Sequence, residues 1–298
     1  MKSSTGNQIK RKIKKHWLDI VFVVPLIVFV FSFTVVPIIQ TGIMSFQDQY
    51  SGVYSSSSYQ YMAGRPQFGE AIRNTLVFTA IALFIQIIIG FFIAMLLKQS
   101  FVGKGLARAF VLLPMGVPTL VSGVAMSYIF STSGYLNELV YRLGISKIPV
   151  NWTGDYLKGM IIVAIADSWK VMPMVVLLFL SGLESVPNEL YEAGNIDGTN
   201  WLQRLWYITL PQVKAVATMT ILMRVVDLLR AFEMPQVLLG ARNPFMGTLA
   251  YQEYQYGNKN YSAVASTVLM VIIVVTVSAY MFLFERERKG KRYADDNQ

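Results

Sequence analysis

No cysteine occurs in the 298 residues, and histidine occurs once, as His16. The first absence excludes disulfides and thiolate metal sites, and it leaves the redox compartment unread. The lone histidine sits beside a lysine cluster, where it reads as a surface residue. The chain therefore offers no nucleophile–base dyad and no ligand cluster on which an intramembrane enzyme would depend. No catalytic residue and no metal ligand is expected. Charge is also scarce, at 14% of residues against about 25% in a soluble globular domain. Apolar residues fill the deficit: the chain is 54% hydrophobic with a mean hydropathy of +0.46. That composition excludes intrinsic disorder, which needs a chain poor in apolar residues.

The apolar residues lie in blocks. No charge falls between Asp19 and Asp48, between Arg73 and Lys98, between Arg108 and Glu138, or from Tyr261 to Phe284. Each gap exceeds the roughly 20 residues that carry a helix across about 30 Å of hydrocarbon. The first block follows a basic head, as a signal peptide does. It is too long for a signal h-region, carries Pro25 and Pro37, and lacks a small-x-small cleavage site. It reads as a first transmembrane helix.

Six spans are expected, at about 18–45, 71–97, 107–131, 158–183, 214–240 and 261–284. The fourth carries Asp167 and Lys170, and the fifth carries Arg224, Asp227, Arg230 and Glu233. Each intramembrane charge costs roughly 2.5–3.5 kcal/mol on insertion scales and persists where it faces a bundle interior or a wet cavity. Lysine and arginine set the orientation. With the N-terminus inside, the inside segments hold 16 basic residues and the outside segments six. Both termini are then cytoplasmic: a basic segment 1–16 and a tail 285–298. The net charge of +9 is a topology signal, and no nucleic acid is expected as a partner. The outside segments Gln47–Gly69 and Ser131–Tyr156 read as ordered loops, and no internal repeat or second domain is visible.

The inside segment 184–212 is too long for a tight turn. Pro187 can open a short helix, since its missing N–H is no loss in a first turn. Glu189 and Glu192 then lie near the positive end of that helix, and Gly198 can stop it with a left-handed residue. A second amphipathic stretch starts at Trp201, and Pro211 is expected to end it before the fifth span. The pattern fits two readings equally, a helix-turn-helix platform on the cytoplasmic face or an interfacial helix lying on lipid.

Glu192-Ala193-Gly194, Asp197-Gly198 and Ile208-x-Leu210-Pro211 resemble the EAA loop of ABC-importer permeases. Gly194 and Thr199 stand where alanine is usual in that motif. The similarity extends to Phe68-x-x-Ala-Ile-Arg-Asn-Thr-Leu-Val-Phe-Thr79, to Arg108-Ala-Phe-Val-Leu-Leu-Pro114, to Trp169-Lys-Val-Met-Pro173 and to Ser181-Gly-Leu-Glu-Ser-Val-Pro187. Together these resemble the carbohydrate branch, the maltose-transporter-like permeases. The resemblance implies an all-α membrane protein: a type I ABC-importer permease bundle of six transmembrane helices with a cytoplasmic coupling helix, in the cell (inner) membrane. It implies that Glu192, Ala193 and Gly194 dock on an ATPase, that Asp197 and Gly198 make the turn, and that Ile208, Leu210 and Pro211 close the coupling loop. It implies as partners a second permease chain (a different one, as is usual in that branch), two ATPase subunits and an extracytoplasmic solute-binding protein. No Walker A sequence occurs: five residues before Gly103-Lys104 stands Lys98, and Gly105 follows where Ser or Thr is needed. ATP and Mg are therefore expected on the partner ATPase, with no cofactor in this chain and no enzymatic activity of its own.

The expected cargo is an oligosaccharide or other carbohydrate. A polyol or glycerol phosphate is the alternative. A secondary transporter fits less well, since that class shows more spans and inverted repeats. Asp167 and Lys170 are three apart on one span, and Arg224, Asp227, Arg230 and Glu233 recur at intervals of three on the next, so each set can face one way. Both sets are balanced in sign. They either neutralise one another and snorkel at the ends, or line the route and hydrogen-bond sugar hydroxyls. On the second reading the pathway residues are Asp167, Trp169, Lys170, Arg224, Asp227, Arg230, Phe232 and Glu233, with Trp169 and Phe232 as stacking faces.

Overall fold

The computed structural model describes residues 17–295. The basic segment 1–16 with His16, and residues 296–298 of the tail, lie outside the described residues. Among the described residues all regular structure is helical, apart from one isolated bridge between Gln47 and Tyr54. In chain order the helices are α1 (Trp17–Val30), α2 (Val36–Ser45), α3 (Ser57–Ala63), α4 (Pro66–Lys98), α5 (Lys104–Leu112), α6 (Thr119–Ile129) and α7 (Tyr135–Arg142). They continue with α8 (Tyr156–Glu184), α9 (Asn188–Ile196), α10 (Trp201–Arg204), α11 (Leu210–Leu229), α12 (Glu233–Leu238), α13 (Met246–Gln255) and α14 (Lys259–Asp295).

Among the described residues, four stretches are long and apolar enough to cross a membrane: Val21–Ser45, Pro66–Lys98, Tyr156–Glu184 and Lys259–Leu283. A fifth arises if the bent pair Lys104–Gly116 and Thr119–Ile129, which turns through 99°, makes one crossing. The bend falls where Pro118 holds Val117 extended, at ψ 130°. The expected span 107–131 is therefore not one continuous helix but two helices meeting at this bend.

Proline acts differently at two other places. Helical turns of the π type, Phe31–Val35 and Leu205–Thr209, each stand two residues ahead of a proline, Pro37 and Pro211. A proline inside a helix loses its own hydrogen bond and crowds the carbonyl four residues back. The widened turn, in which the Leu210 N–H bonds back to the Leu205 carbonyl, makes room for it. Pro211 therefore does not end the stretch begun at Trp201, which runs on into α11.

The centre of the bundle is α4 packed along α8, with α11 laid against both. Gly90 on α4 lets the two approach: a Cβ there would lie 2.6 Å from Val175 Cγ1. Small residues do this work in membrane bundles, where apolar packing gains nothing over lipid. Three buried clusters follow one another along α4. The first joins Ala71 to Met62, Met246, Leu249 and Val264; the second joins Phe78 and Ala82 to Met160, Val163, Leu228 and Phe245. The third joins Phe91, Ala94 and Leu97 to Val175, Phe179, Leu183, Leu205 and Val213. By contrast α1 turns apolar side chains such as Phe22, Leu26 and Phe29 outward along its length.

Candidate functional site

The charges on α8 and α11 meet in the second half of the bundle. Arg224 is 4% exposed and serves three partners. Its Nε donates to Gln86 Oε1 at 2.9 Å, Nη1 reaches Asp227 Oδ2 at 3.0 Å, and Nη2 lies 3.5 Å from Asp167 Oδ2. Gln86 closes the ring by donating from Nε2 to the same Asp167 Oδ2 at 2.9 Å. One guanidinium thus ties α4, α8 and α11 together. Its planar fork suits several acceptors at once, and the mutual pairing is what makes burial of these charges tolerable.

Further out, Arg230 Nη2 donates to Asp227 Oδ1 at 2.7 Å. Lys170 does not pair with Asp167. Its Nζ donates to the carbonyls of Pro114 and Met115, at 3.1 and 3.2 Å. Those carbonyls lie just before the bend between α5 and α6, where the helical ladder stops. A cavity of about 550 Å³ opens beside these groups, lined by Asp167, Lys170, Arg224, Asp227, Arg230, Phe232 and Glu233 together with Met115, Thr119 and Met174. Phe232 meets Tyr251 edge to face at 5.0 Å between centroids.

Two sequence expectations are corrected here. Trp169 does not join the cavity. Two residues beyond Asp167 on a helix is about 200° round the axis, and Trp169 points outward, 43% exposed. Glu233 does not continue the series of α11. That helix ends at Leu229, and Glu233 opens α12. Pro235 stands in the first turn of α12, where its missing N–H is no loss, whereas a helix running on from α11 would have to give up a hydrogen bond there. Sequence reasoning missed Gln86, which is fully buried and carries no charge to mark it. Its signal is a lone large polar residue in the charge-free block Arg73–Lys98.

The segment after α8 folds as a helical platform. Pro187 precedes α9, Asp197 caps its end, and Gly198 follows at φ +69°, a left-handed position that suits glycine. Asn200 starts α10 with a capping box: its Oδ1 accepts from the Gln203 N–H at 2.9 Å, and Gln203 Oε1 accepts from the Asn200 N–H at 2.8 Å. Arg204 donates to Asn195 Oδ1, binding α10 to α9. Glu192, Ala193, Asp197 and Pro211 are exposed, and Gly198 is exposed at the turn. Gly194 is buried: a Cβ there would lie 3.0 Å from both Ile208 Cδ1 and Thr199 Oγ1. It stands on the inward face with half-buried Tyr191, one turn away, while Ile208 and Leu210 are half-buried against the bundle.

A multiply spanning helical bundle with charged side chains gathered round an internal cavity has the build of a membrane transport protein. The overall fold is similar to that of a bacterial alginate ABC transporter solved with an alginate pentasaccharide-bound periplasmic protein: the TM-score is 0.81 at 21% identity, over 93% of this chain and 96% of that one. Residues 86–290 match the family of binding-protein-dependent transport system inner membrane components, and the chain belongs to that family. It is 29% identical to the trehalose/maltose transport system permease protein MalF of Thermococcus litoralis, over 91% of this chain and 95% of that protein. It is 31% identical to the arabinooligosaccharides transport system permease protein AraP of Bacillus subtilis, over 84% and 83%. The family is one of transporter permease subunits, multi-pass in the membrane, and not of catalytic enzymes.

Proposed function

We propose that this chain is one permease subunit of an ATP-driven importer that receives an oligosaccharide, or another carbohydrate, from an extracytoplasmic binding protein. The observation that carries the reading is the cavity beside Arg224, where one buried guanidinium organises acidic groups from two helices next to open space. Hydroxyl-rich ligands are held by such mixed donors and acceptors, with an aromatic face (here Phe232) alongside. Relatives named for trehalose, maltose and arabinooligosaccharide transport support a carbohydrate cargo.

On this reading the chain crosses the cell membrane six times, as α1–α2, α4, the bent pair α5–α6, α8, α11 and α14. Both termini are cytoplasmic, including 1–16 and 285–298. The Arg224 ring supports counting α11 as a span, because its costly charges are satisfied within the bundle. The platform α9–α10 is the coupling element. Glu192, Ala193, Asp197 and Gly198 meet a separate ATPase subunit that binds ATP and Mg, and Gly194 sets the spacing beneath them. Ile208, Leu210 and Pro211 carry the motion into α11. A second, different permease chain forms the other half of the route, and alternating access moves the cargo.

The test is to purify the assembly with its ATPase subunits and binding protein, and to measure ATP hydrolysis as the binding protein is loaded with candidate saccharides. Stimulation by a saccharide is expected; stimulation by a polyol or glycerol phosphate alone defeats the carbohydrate assignment. Glu192→Arg and Gly198→Pro should weaken capture of the ATPase subunit and leave membrane insertion intact. Normal capture by both removes the platform from the docking role.

A further inference from the structure

The platform touches the bundle through one side chain that the EAA pattern does not include. Tyr191 lies on the inward face of α9, half-buried. Its hydroxyl is 3.1 Å from Thr209 Oγ1, in the π-type turn ahead of α11, and Thr209 is itself buried. Its ring face receives a cation from another direction. Lys98 Nζ, at the last residue of α4, stands 4.3 Å from the ring centroid. That ammonium is buried and has no hydrogen-bond partner among the described residues. Beside it opens a cavity of about 470 Å³ that Glu192, Trp201 and Arg204 also line.

A buried ammonium without hydrogen bonds is costly, so an apolar residue of the same length would fill the place more cheaply. The ring face, the negative end of the α4 dipole and the location at a helix end compensate it. A cation over an aromatic face keeps its attraction while the ring slides or tilts, unlike a hydrogen bond that breaks with angle. Such a contact suits a joint that must hold during motion. Because the same ring reaches Thr209 through its hydroxyl, a force on α9 meets α4 and α11 at one residue.

We propose that Lys98 is a positioning residue for coupling, whose ammonium on the Tyr191 face braces the platform helix α9 against the end of α4 and passes its movement into the bundle. The inference rests on the reading of α9 as the ATPase-docking helix.

The experiment uses the complete assembly, reconstituted with its ATPase subunits and binding protein, and compares Lys98→Met, Lys98→Arg, Tyr191→Leu, Tyr191→Phe and the double variant Lys98→Met/Tyr191→Leu. Lys98→Met and Tyr191→Leu should capture the ATPase subunit normally. Stimulation of hydrolysis by loaded binding protein, and uptake, should fall about tenfold, the scale of a desolvated cation–π contact. Lys98→Arg and Tyr191→Phe keep a cation and a ring face, and should restore most of the stimulation. The double variant should be no worse than either single one, the signature of a shared contact. Wild-type stimulation by Lys98→Met overturns the brace, as does a double variant whose losses multiply. A Lys98→Arg protein that is folded, by its thermal transition, yet as impaired as Lys98→Met also overturns it. Glu192→Arg in the same preparation separates the two ideas. If it captures ATPase normally, the docking reading falls and the brace falls with it. If it loses capture while Lys98→Met couples normally, only the brace fails.

Discussion

Thr199 donates its hydroxyl to the Gly194 carbonyl at 2.6 Å and occupies the space that a methyl group on residue 194 would need. The two positions at which this chain departs from the alanines of the EAA pattern are therefore in contact, and each explains the other.

Gly194→Ala alone should destabilise the platform. The new Cβ sits 3.0 Å from a Thr199 hydroxyl that its hydrogen bond pins in place. Such overpacking costs typically about 1–3 kcal/mol, which outweighs the roughly 1 kcal/mol an alanine gains over glycine in a helix. In a Thr199→Ala background only the Ile208 Cδ1 methyl remains at 3.0 Å, the end of a flexible side chain that can turn aside, so the same substitution should cost less there and stabilise by up to about 1 kcal/mol. Thermal unfolding of the four proteins in detergent measures this. An effect of Gly194→Ala with the same sign and size in both backgrounds removes the coupling.

Arg224 and Asp227 touch, yet their loss should read differently. Arg224→Gln strips the cation from Asp167 and Asp227 inside the bundle, and breaking a buried pair on one side costs about 3–5 kcal/mol. Asp227 has a 29% exposed side chain facing the cavity, and Asp227→Asn keeps an amide oxygen for Arg224 while Asp167 stays charged beside it, so it should cost less stability than Arg224→Gln while lowering uptake several-fold. Comparing thermal stability with uptake separates the two. Equal losses of stability in both variants defeat the distinction between a structural hub and a cavity wall.

How much of this was legible in the residues depends on what marks them. Charge-free blocks show their length directly, and Gly198 announces a left-handed stop because no other residue takes that conformation so freely. The pairing of Arg224 with Asp167 is half visible: sequence puts charges on one face of a helix, but which helix answers them is a tertiary fact. Gln86 escaped because a search for charge passes over an amide. The break at Arg230–Phe232 is marked in the sequence by Pro235, which disfavours continuation from upstream and fits a fresh first turn, although Pro173 lies inside α8 without breaking it. Pro211 reads identically and has the opposite outcome, since the widened turn at Leu205–Thr209, packed against the bundle through Leu205 and Thr209, absorbs it.

The loop after α2 should respond to acid through Asp48. Its carboxylate accepts from the Ser51 N–H at 2.8 Å, the Ser57 hydroxyl at 2.8 Å, the Ser51 hydroxyl at 2.9 Å and the Tyr50 N–H at 3.1 Å. These donors hold its pKa at about 2, below the ordinary 3.8. A depressed carboxylate contributes order fully above its unfolded pKa and loses that contribution as pH falls through the folded one. Amide exchange at Tyr50 and Ser51, corrected for intrinsic rates, should be flat from neutral pH to about pH 4 and speed up towards pH 2. Asp48→Asn should exchange faster at neutral pH and show no acid step. An acid step of the same size in Asp48→Asn assigns it elsewhere.

Lys170 should govern the bend between α5 and α6. Its ammonium donates to the Pro114 and Met115 carbonyls, and the Pro114 carbonyl accepts from the Val117 N–H as well, at 3.3 Å. Lys170→Met removes that hydrogen bond from both, at a net cost of about 1 kcal/mol for each bond lost. The helix halves should then relieve the loss by changing their angle. The absence of cysteine makes this directly measurable: Leu106→Cys and Leu120→Cys, at exposed positions on either side of Pro118, accept spin labels with no background. The label–label distance distribution should be narrow in the parent, broaden or shift in Lys170→Met, and remain narrow in Lys170→Arg, which keeps a cation with donors to spare. An unchanged distribution in Lys170→Met means that the prolines alone set the bend, and that Lys170 faces the cavity for the cargo's sake.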